Sequence, residues 1–395
     1  MNIINSHGPG FLYAVFTGIL IVLVTSCEDP YWPELDNSYQ NLLTVEGMIT
    51  NGNGPFEVKL SNSTGFENAV YSPLPGCTVF ILDENGNEYQ LFESEIGNYR
   101  SVPGELIGEV GKAYKLRIRK PDGNTYESEF GTIPDPVGID TVYAQVEYGS
   151  NGSFPFDIPG YQFYISSEES DGSDFNLRWL MEQTWEYDVD FLIYYFYNGS
   201  LHDFPDPDSL KTCWKTESVP SVFVAGTHEL SQPLIENYPL HYIQFDNRIF
   251  SKKYSLLVRQ LTISDAALEF WEDVKEQNTE GGSLYTHLPY QIRGNVHNIK
   301  DNTEPVLGYF HTAGIDSLRI FVNRPPPIVP MYYSNCMLQQ LDYEEYGMMF
   351  RTNDPREWPK YVTTGPGGAR AVPNTYCIDC RTGGGKTEKP AFWED

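Results

Sequence analysis

Basic residues are scarce in this chain of 395 residues: 26 Lys and Arg stand against 54 Asp and Glu, a formal charge of −28. Nucleic-acid binding needs a basic surface that displaces counterions, so this composition argues against it. Catalytic signatures are also missing, since the sequence has no His-Glu-x-x-His, no glycine loop with lysine for phosphate and no Gly-x-Ser-x-Gly. We therefore predict no catalytic residues, no cofactor and no metal, and we expect a protein that is not an enzyme.

Long hydrophobic runs are rare too, because the only one extends from Phe11 to Val24. A membrane-spanning helix needs about 20 apolar residues, whereas the core of a secretory signal has about 7–15. The run ends in Val24-Thr25-Ser26-Cys27, which resembles a bacterial lipobox. The segment before it has no Lys or Arg, although signal peptides and membrane anchors both rely on them. We predict a signal peptide over residues 1–26 and an acylated, palmitate-bearing Cys27 as the mature N-terminus; a short anchor helix is the alternative.

Five further cysteines follow Cys27, and export makes disulfides their expected state. Cys77 lies in the strand-like run PGCTVFILD and is predicted to be an unpaired, small buried side chain. The other four would form two disulfides, with three possible pairings: Cys213, Cys336, Cys377 and Cys380. Two other interpretations exist for CIDC, a redox pair and a zinc site built from all four thiolates. Disulfides are favoured because no βαβ pattern surrounds CIDC and exported thiolates do not stay reduced.

Turns and aromatic residues are abundant, with 34 Gly, 28 Pro, 28 Tyr, 22 Phe and 7 Trp, a composition typical of strand-rich folds. We predict a tether over residues 27–38, an immunoglobulin-like β-sandwich over 39–136 and a larger β-rich domain over 137–395. Apolar residues alternate in seven short runs of the first domain, from LLTVEGMI to TYESEF, and NGNGP, DENGN and KPDGN separate some of them as turns. Tyr114, two residues before Leu116, is either a tyrosine corner or an exposed cross-strand residue.

The second domain combines long alternating strands with one helix. YSLLVRQLTIS is predicted to be a central strand, and GNVHNI, PVLGYFHTAG and DSLRIFV are predicted to be further strands. A helix is predicted to begin at Ser264, with Ala267, Phe270, Trp271 and Val274 at helical spacing against the sheet. The chain after Arg324 is loop-rich. The fold class is therefore mostly β, an immunoglobulin-like sandwich followed by a larger β-rich domain with one packed helix.

Three sets of side chains are candidates for binding. The aromatic runs after Phe175 offer a stacking platform for glycan or peptide, or else they fill a sandwich core: Trp179, Trp185, Tyr187, Tyr194 and Tyr195. His287, His297 and His311 could meet as metal ligands, although ordinary strand histidines are the favoured interpretation. The acidic run SSEESDGSD near Glu168 lacks the spacing of a calcium loop, which favours a solvated hairpin tip.

Several stretches together resemble a family catalogued as domain of unknown function 4249: the lipobox cysteine, LLTVEGMITNGNGPFEVKLS, YSLLVRQLTISDAALEFWEDVKEQ and CIDCRTGGGKTEKPAFW with its closing Trp393. The family is similar to surface and outer-membrane lipoproteins of Bacteroidota, often encoded beside TonB-dependent transporters. Acidic residues after the lipidated cysteine, here Glu28 and Asp29, imply display on the cell surface. Many members have alanine at the position of Cys77, which agrees with an unpaired thiol.

The resemblance implies a non-enzymatic outer-membrane lipoprotein, exposed on the cell surface, that serves as an accessory or ligand-binding subunit of a TonB-dependent barrel. An alternative is a structural, adhesive or envelope-assembly lipoprotein that binds surface polymer without a transporter. A hydrolase with an unrecognised pair of carboxylates is a third hypothesis, which a close buried pair in a cleft would support.

Overall fold

The mostly-β fold predicted from the alternating runs is confirmed. A computed structural model describes residues 41–64, 71–149, 157–169, 171–245, 247–280, 292–325, 335–338, 347 and 355–394. Cys27, the predicted signal peptide, the predicted tether and His287 lie outside the described residues. Among those described, no helix is both long enough and apolar enough to cross a membrane.

In the described part of residues 41–149 the first unit has nine consecutive strands, and all seven predicted runs are among them. They are β1 (Leu43–Thr50), β2 (Glu57–Asn62), β3 (Ser72–Pro73), β4 (Thr78–Asp83), β5 (Glu88–Glu95), β6 (Asn98–Ser101), β7 (Ala113–Arg119), β8 (Thr125–Ser128) and β9 (Gly131–Thr132). Antiparallel pairing joins them in the order β1-β2-β6-β5-β4-β7-β8. Alternate residues of each strand point inward, as Val45, Val58 and Leu116 do, and form one fully buried apolar core.

A tyrosine corner stabilises this unit at the start of β7. The Tyr114 hydroxyl donates to the carbonyl of Ile107 and accepts from the backbone N–H of Glu109, each at 3.2 Å. The ring is 2 % exposed, which excludes the alternative of a surface tyrosine. The hydroxyl thereby anchors the loop that precedes its own strand, as in other β-sandwiches.

The rest of the chain contributes one α-helix and thirteen strands among the described residues. They are β10 (Thr141–Gly149), β11 (Ile158–Glu168), β12 (Asn176–Asp188), β13 (Tyr195–Tyr197), β14 (Leu201–Asp203), β15 (Thr212–Ser218), β16 (Phe223–Gly226), β17 (Leu234–Gln244), β18 (Lys253–Thr262), α1 (Asp265–Glu280), β19 (Val296–Asn298), β20 (Leu307–Asn323), β21 (Lys360–Thr364) and β22 (Arg370–Ala371). The loop-rich C-terminal segment also has short 3-10 helices, which include Thr375–Cys377 and Cys380–Gly383.

A second sandwich forms where the three-stranded sheet β10-β11-β17 covers the sheet β15-β12-β18-β20. YSLLVRQLTIS is confirmed as a central strand, because β18 lies between β12 and β20. Phe163 and Ile165 of the small sheet face Tyr254 and Leu256 of the large one inside the same buried cluster. Both sheets therefore contribute alternate residues to one core.

Strand β20 joins the two units, and this changes the boundary expected near residue 136. Its first half pairs in parallel with β1, and its second half pairs antiparallel with β18. Phe310 packs in the core of the first unit together with Val296 of β19. PVLGYFHTAG and DSLRIFV are thus one strand rather than two. The first unit is completed by a segment more than half the chain away, and local alternation cannot reveal such a partner.

Helix α1 begins where the sequence predicts. The Ser264 hydroxyl accepts from the backbone N–H of Ala267 at 3.3 Å, which caps an otherwise unpaired donor. Ala267 and Phe270 are buried against the sheet. On the same side Trp271 stacks on His311 of β20. The helix therefore covers the outer face of the large sheet near the point where β20 passes between the units.

Candidate functional site

The four cysteines predicted to form disulfides pair as Cys213–Cys380 and Cys336–Cys377. The two cysteines of CIDC thus bond to different partners, which excludes a redox pair between them and a zinc site of four thiolates in this structure. Cys213 lies on β15, so the first bridge ties the C-terminal segment to the large sheet. Among the cysteines that the structure describes, Cys77 is the free one, as predicted, but it is half-buried rather than buried, and burial raises the pKa of its thiol.

Backbone hydrogen bonds extend the attachment of this segment on both sides of the first bridge. Cys380 donates its N–H to the carbonyl of Leu210 at 3.1 Å, and Trp214 and Lys386 exchange two bonds of 2.9 Å each. The turn between them needs glycine, because a Cβ on Gly385 would lie 2.4 Å from the Tyr187 hydroxyl. Gly385 is therefore required by packing, whereas Gly384 is favoured by its backbone conformation, with φ +83° in the left-handed region.

The end of the chain is fastened separately by Trp393, the closing residue of the sequence signature. Its side chain is 6 % exposed and packs edge-on against Phe321 of β20, with ring centroids 5.5 Å apart. Next to it, the Arg319 guanidinium lies 3.5 Å from the ring centroid of Phe392. The C-terminal segment is thus held at both of its ends against the second sandwich.

This attachment assembles a small sheet, which we call the aromatic sheet, in the order β14-β13-β21-β22. Strand β21 comes from the disulfide-bonded segment and pairs with β13, so that Phe196 lies opposite Tyr361. On the other side of β13, Phe196 lies opposite His202 of β14. Four rings consequently share one face of the sheet and form what we call the Phe196 cluster: Phe196, His202, Phe204 and Tyr361.

The rings of the Phe196 cluster are in contact but are not covered. Phe196 stacks on His202 with centroids 5.2 Å apart, and Phe204 meets Tyr361 edge-on at 5.7 Å. His202 is exposed and the other three are half-buried. The opposite face is also aromatic, since Arg370 lies 4.9 Å from the ring centroid of Tyr195 and Tyr197 meets Trp358 edge-on. Partly exposed rings at this density suit stacking on a planar or cyclic ligand.

The predicted stacking platform is wrong for three of its five residues. Trp179, Trp185 and Tyr187 occupy inward positions of β12 and are 1 %, 7 % and 6 % exposed. The three-stranded sheet covers that face, and the Trp179 indole donates to the Gln260 side chain at 2.8 Å. These rings fill a core, as the alternative interpretation stated. A ligand cannot stack on them.

The other two predicted residues, Tyr194 and Tyr195, do lie in or beside the aromatic sheet. Tyr194 is 38 % exposed and Tyr195 is half-buried on β13. Sequence reasoning missed Phe196, Phe204 and Tyr361. The run FLIYYFYNG held the signal for the first of these, but the partner strand that brings Tyr361 could not be recognised from local pattern.

A serine and a histidine approach each other at the edge of the aromatic sheet. The Ser200 hydroxyl lies 2.8 Å from Nε2 of His202 on the exposed hairpin between β13 and β14. A Ser–His pair acts as nucleophile and base when a third group orients the imidazole. Among the contacts of the described residues, no carboxylate bonds to His202. The pair as arranged supplies polar groups beside the rings.

The metal-binding alternatives can be compared with the structure over the described residues. There the one group of acidic, histidine or cysteine side chains close enough to share an ion is Asp190, Cys336 and Cys377. Two of its members share a disulfide and so offer no thiolate. His297 lies half-buried on β19, whereas His311 is buried beneath α1 and bonds to Trp271. The acidic run near Glu168 connects two different sheets rather than two strands of a hairpin.

Comparison with known proteins identifies the family. The sequence model described as "Domain of unknown function (DUF4249)" matches residues 28–319. The chain belongs to this family. The match includes both sandwiches and α1, and it ends within β20, so β21, β22 and the CIDC segment follow it. No curated protein matches the chain.

Proposed function

We propose that this member of the family is a non-enzymatic, lipid-anchored protein of the outer membrane, displayed on the cell surface as a ligand-binding accessory of a TonB-dependent transporter. The observation that carries the proposal is the aromatic sheet, which offers a cluster of half-exposed rings on a rigid support. Cys27 supplies the anchor. The aromatic sheet contacts glycan or peptide and presents it to the barrel.

The disulfides support export and a binding role together. Disulfides persist in oxidising compartments, which agrees with the lipobox at Cys27. Both bridges end in the segment that contributes β21, so they hold Tyr361 beside Phe196. A binding surface is most effective when its side chains are fixed before the ligand arrives, because less conformational entropy is then lost on binding.

The barrel partner is tested by affinity purification of the tagged full-length protein from mildly solubilised outer membrane, followed by mass spectrometry. The accessory role predicts a TonB-dependent barrel in stoichiometric amount. Recovery of the protein alone would overturn the transporter association and leave the adhesive or structural alternative.

The aromatic sheet is tested separately by binding of the intact lipoprotein to arrays of glycans and peptides. The double variant Phe196→Ala, Tyr361→Ala removes two rings of the cluster and is expected to lose the binding that the wild type shows. Tyr148→Ala is the matched control, because Tyr148 is a surface tyrosine, 67 % exposed, on β10. Equal binding by the double variant and the control would show that the ligand does not contact the aromatic sheet.

A further inference from the structure

A second concave surface lies on the first unit, away from the aromatic sheet. It is a pocket of about 380 Å³ on the outer face of strands β1, β2 and β6. Eight residues line it: Thr44, Glu46, Lys59, Ser61, Tyr71, Glu95, Ile96 and Asn98. Pockets that hold small ligands begin at about 300 Å³, so this one admits a compact molecule.

The floor of the pocket is a regular array of polar side chains. Thr44 and Glu46 are two residues apart on β1 and lie directly opposite Ser61 and Lys59 of β2. Lys59 in turn lies opposite Asn98 of β6. Directly opposed side chains on neighbouring strands are about 5 Å apart. Side chains that carry hydroxyl, carboxylate, ammonium and amide groups therefore start from opposed positions across the floor.

Asn98 has an acceptor that the protein leaves unused. Its Nδ2 donates to the Glu57 carboxylate at 2.8 Å. Its Oδ1 is buried and bonds to no donor. A buried acceptor without a donor costs free energy. This oxygen has almost no exposed surface and lies beneath the floor, so a bound molecule reaches it only after a neighbouring side chain moves.

The rim of the pocket is apolar and stands clear of the floor. Tyr71 is 66 % exposed and Ile96, at the tip of the β5–β6 hairpin, is 70 % exposed. Tyr71, directly before β3, offers a ring face to the C–H groups of a ligand. Ile96, between β5 and β6, offers an aliphatic contact. An apolar rim above a polar floor matches a molecule with hydroxyl groups on its edges and C–H groups on its faces.

We propose that this pocket binds a neutral saccharide. Two carboxylates, Glu46 and Glu95, line the pocket with one ammonium, Lys59, which already lies 3.8 Å from the Glu57 carboxylate, and this excess of negative charge disfavours phosphate, sulfate or uronate ligands. A cationic ligand meets Lys59 at the middle of the floor, and an acyl chain would leave the polar array without hydrogen bonds. The donors and acceptors of the floor suit the hydroxyls of a sugar ring. The site is independent of the aromatic sheet and assigns carbohydrate recognition to the first unit.

Saturation-transfer NMR on the detergent-solubilised full-length lipoprotein tests the site, with maltose, cellobiose, lactose and mannobiose as probes. At least one disaccharide is expected to bind, and Tyr71→Ala is expected to raise its Kd about tenfold, as loss of an aromatic contact does. Phe92→Ala is the matched control, since Phe92 is 53 % exposed on neighbouring β5 and does not line the pocket. It is expected to bind like the wild type.

The following results would overturn the proposal. They are the absence of binding by all four disaccharides, wild-type affinity in Tyr71→Ala, and binding that is lost in Phe196→Ala, Tyr361→Ala instead. Inorganic phosphate is included as a fifth probe, and binding of phosphate that depends on Lys59 would also contradict a neutral site. Failure here leaves the barrel association of the proposed function untouched, because that association is measured without any sugar.

Discussion

The indole N–H of Trp271 donates to Nε2 of His311 at 2.8 Å, and the two rings are nearly parallel. The guanidinium of Arg178 lies 3.4 Å from the centroid of the same indole and 3.3 Å from the same ring nitrogen. Because Nε2 accepts, the neutral imidazole carries its proton on Nδ1. Trp271, His311 and Arg178 together join α1 to two strands of the large sheet through a cation–π contact, ring stacking and one hydrogen bond from the indole.

Trp271→Phe keeps a ring over Arg178 but removes the donor to His311. We expect the turns of α1 around Trp271 to lose about 1 kcal/mol of local stability, the usual value of one hydrogen bond. Hydrogen–deuterium exchange of residues 265–280 measures this as faster exchange of the helix amides. Glu272→Gln, on the exposed side of the helix, is the control and should exchange like the wild type. Unchanged exchange in Trp271→Phe would show that stacking alone holds the helix.

Stability is expected to fall as the pH drops below about 6.5, the pKa of an unfolded histidine. Burial, with the Arg178 cation as the second cause, holds the pKa of His311 well below its ordinary value. Burial also lowers the pKa of His241 to about 4. Below pH 6.5 these two histidines therefore bind protons in the unfolded chain but not in the folded chain. The stability present above pH 6.5 is consequently lost as the pH falls toward the folded pKa values.

The measurement is the apparent free energy of unfolding in urea between pH 7.5 and 5.5, a range above the ordinary pKa of carboxylates. Each histidine that stays neutral contributes up to about 1.4 kcal/mol per pH unit. His311→Gln retains an acceptor for Trp271 but does not titrate, so its loss of stability should be smaller. An equal pH dependence in the variant would exclude His311 as a source.

Tyr114→Phe is expected to destabilise the first unit by about 1–2 kcal/mol, because the change removes two hydrogen bonds, one to the carbonyl of Ile107 and one from the N–H of Glu109, each worth about 1 kcal/mol. Tyr89→Phe is the matched control, since Tyr89 is a half-buried tyrosine of the same unit whose hydroxyl makes no hydrogen bond among the described contacts. The measurement is the urea concentration at the midpoint of unfolding, compared between the two variants. Equal midpoints would mean that the ring of Tyr114, and not its hydroxyl, anchors the loop.

The local elements follow from the sequence because they depend on local physics. Period-two alternation in LLTVEGMIT marks Val45 and Ile49 as inward and Glu46 as outward, and the structure agrees. Ser264 and the spacing of Ala267 and Phe270 likewise identify α1. Tyr114 is a comparable case, since its contact reaches only seven residues back.

The pairings between distant segments could not be derived in this way. The local pattern of YFHTAG does not indicate that its strand continues through Gly314 or that it runs parallel to β1. The same limit hid the aromatic sheet, because Tyr361 pairs with Phe196 from a distant segment that two disulfides hold against the second sandwich. Trp179 and Tyr195 both lie in aromatic runs, and only the sheet that covers β12 distinguishes the buried ring from the half-buried one.

Lipidation at Cys27 is predicted from the sequence and is tested independently of the fold. Cells that express the protein and take up an alkyne analogue of palmitate should label the wild type and not Cys27→Ala. The variant should also leave the membrane fraction, because several acyl chains are what make attachment stable. Cys77→Ala is the control, as it removes the free cysteine and should label normally. Labelling that survives in Cys27→Ala would place the lipid elsewhere.

The two disulfides are expected to differ in their ease of reduction. Cys213 and Cys380 are both fully buried, whereas Cys336 is half-buried. A guanidinium nitrogen of Arg248 lies 3.3 Å from the Cys336 sulfur and would stabilise it as a leaving thiolate. Increasing dithiothreitol followed by alkylation and mass spectrometry should therefore label Cys336 and Cys377 before the other pair.

The variant Arg248→Gln distinguishes the two causes of this order of reduction, which are the exposure of Cys336 and the positive charge of Arg248. If the cation contributes, the Cys336–Cys377 bridge should need more reductant in the variant while the Cys213–Cys380 bridge does not change. If access alone decides, both bridges should open as in the wild type. Simultaneous opening of the two bridges in the wild type would contradict the prediction, and it would mean that the C-terminal segment separates from the second sandwich as a single unit and takes β21 of the aromatic sheet with it.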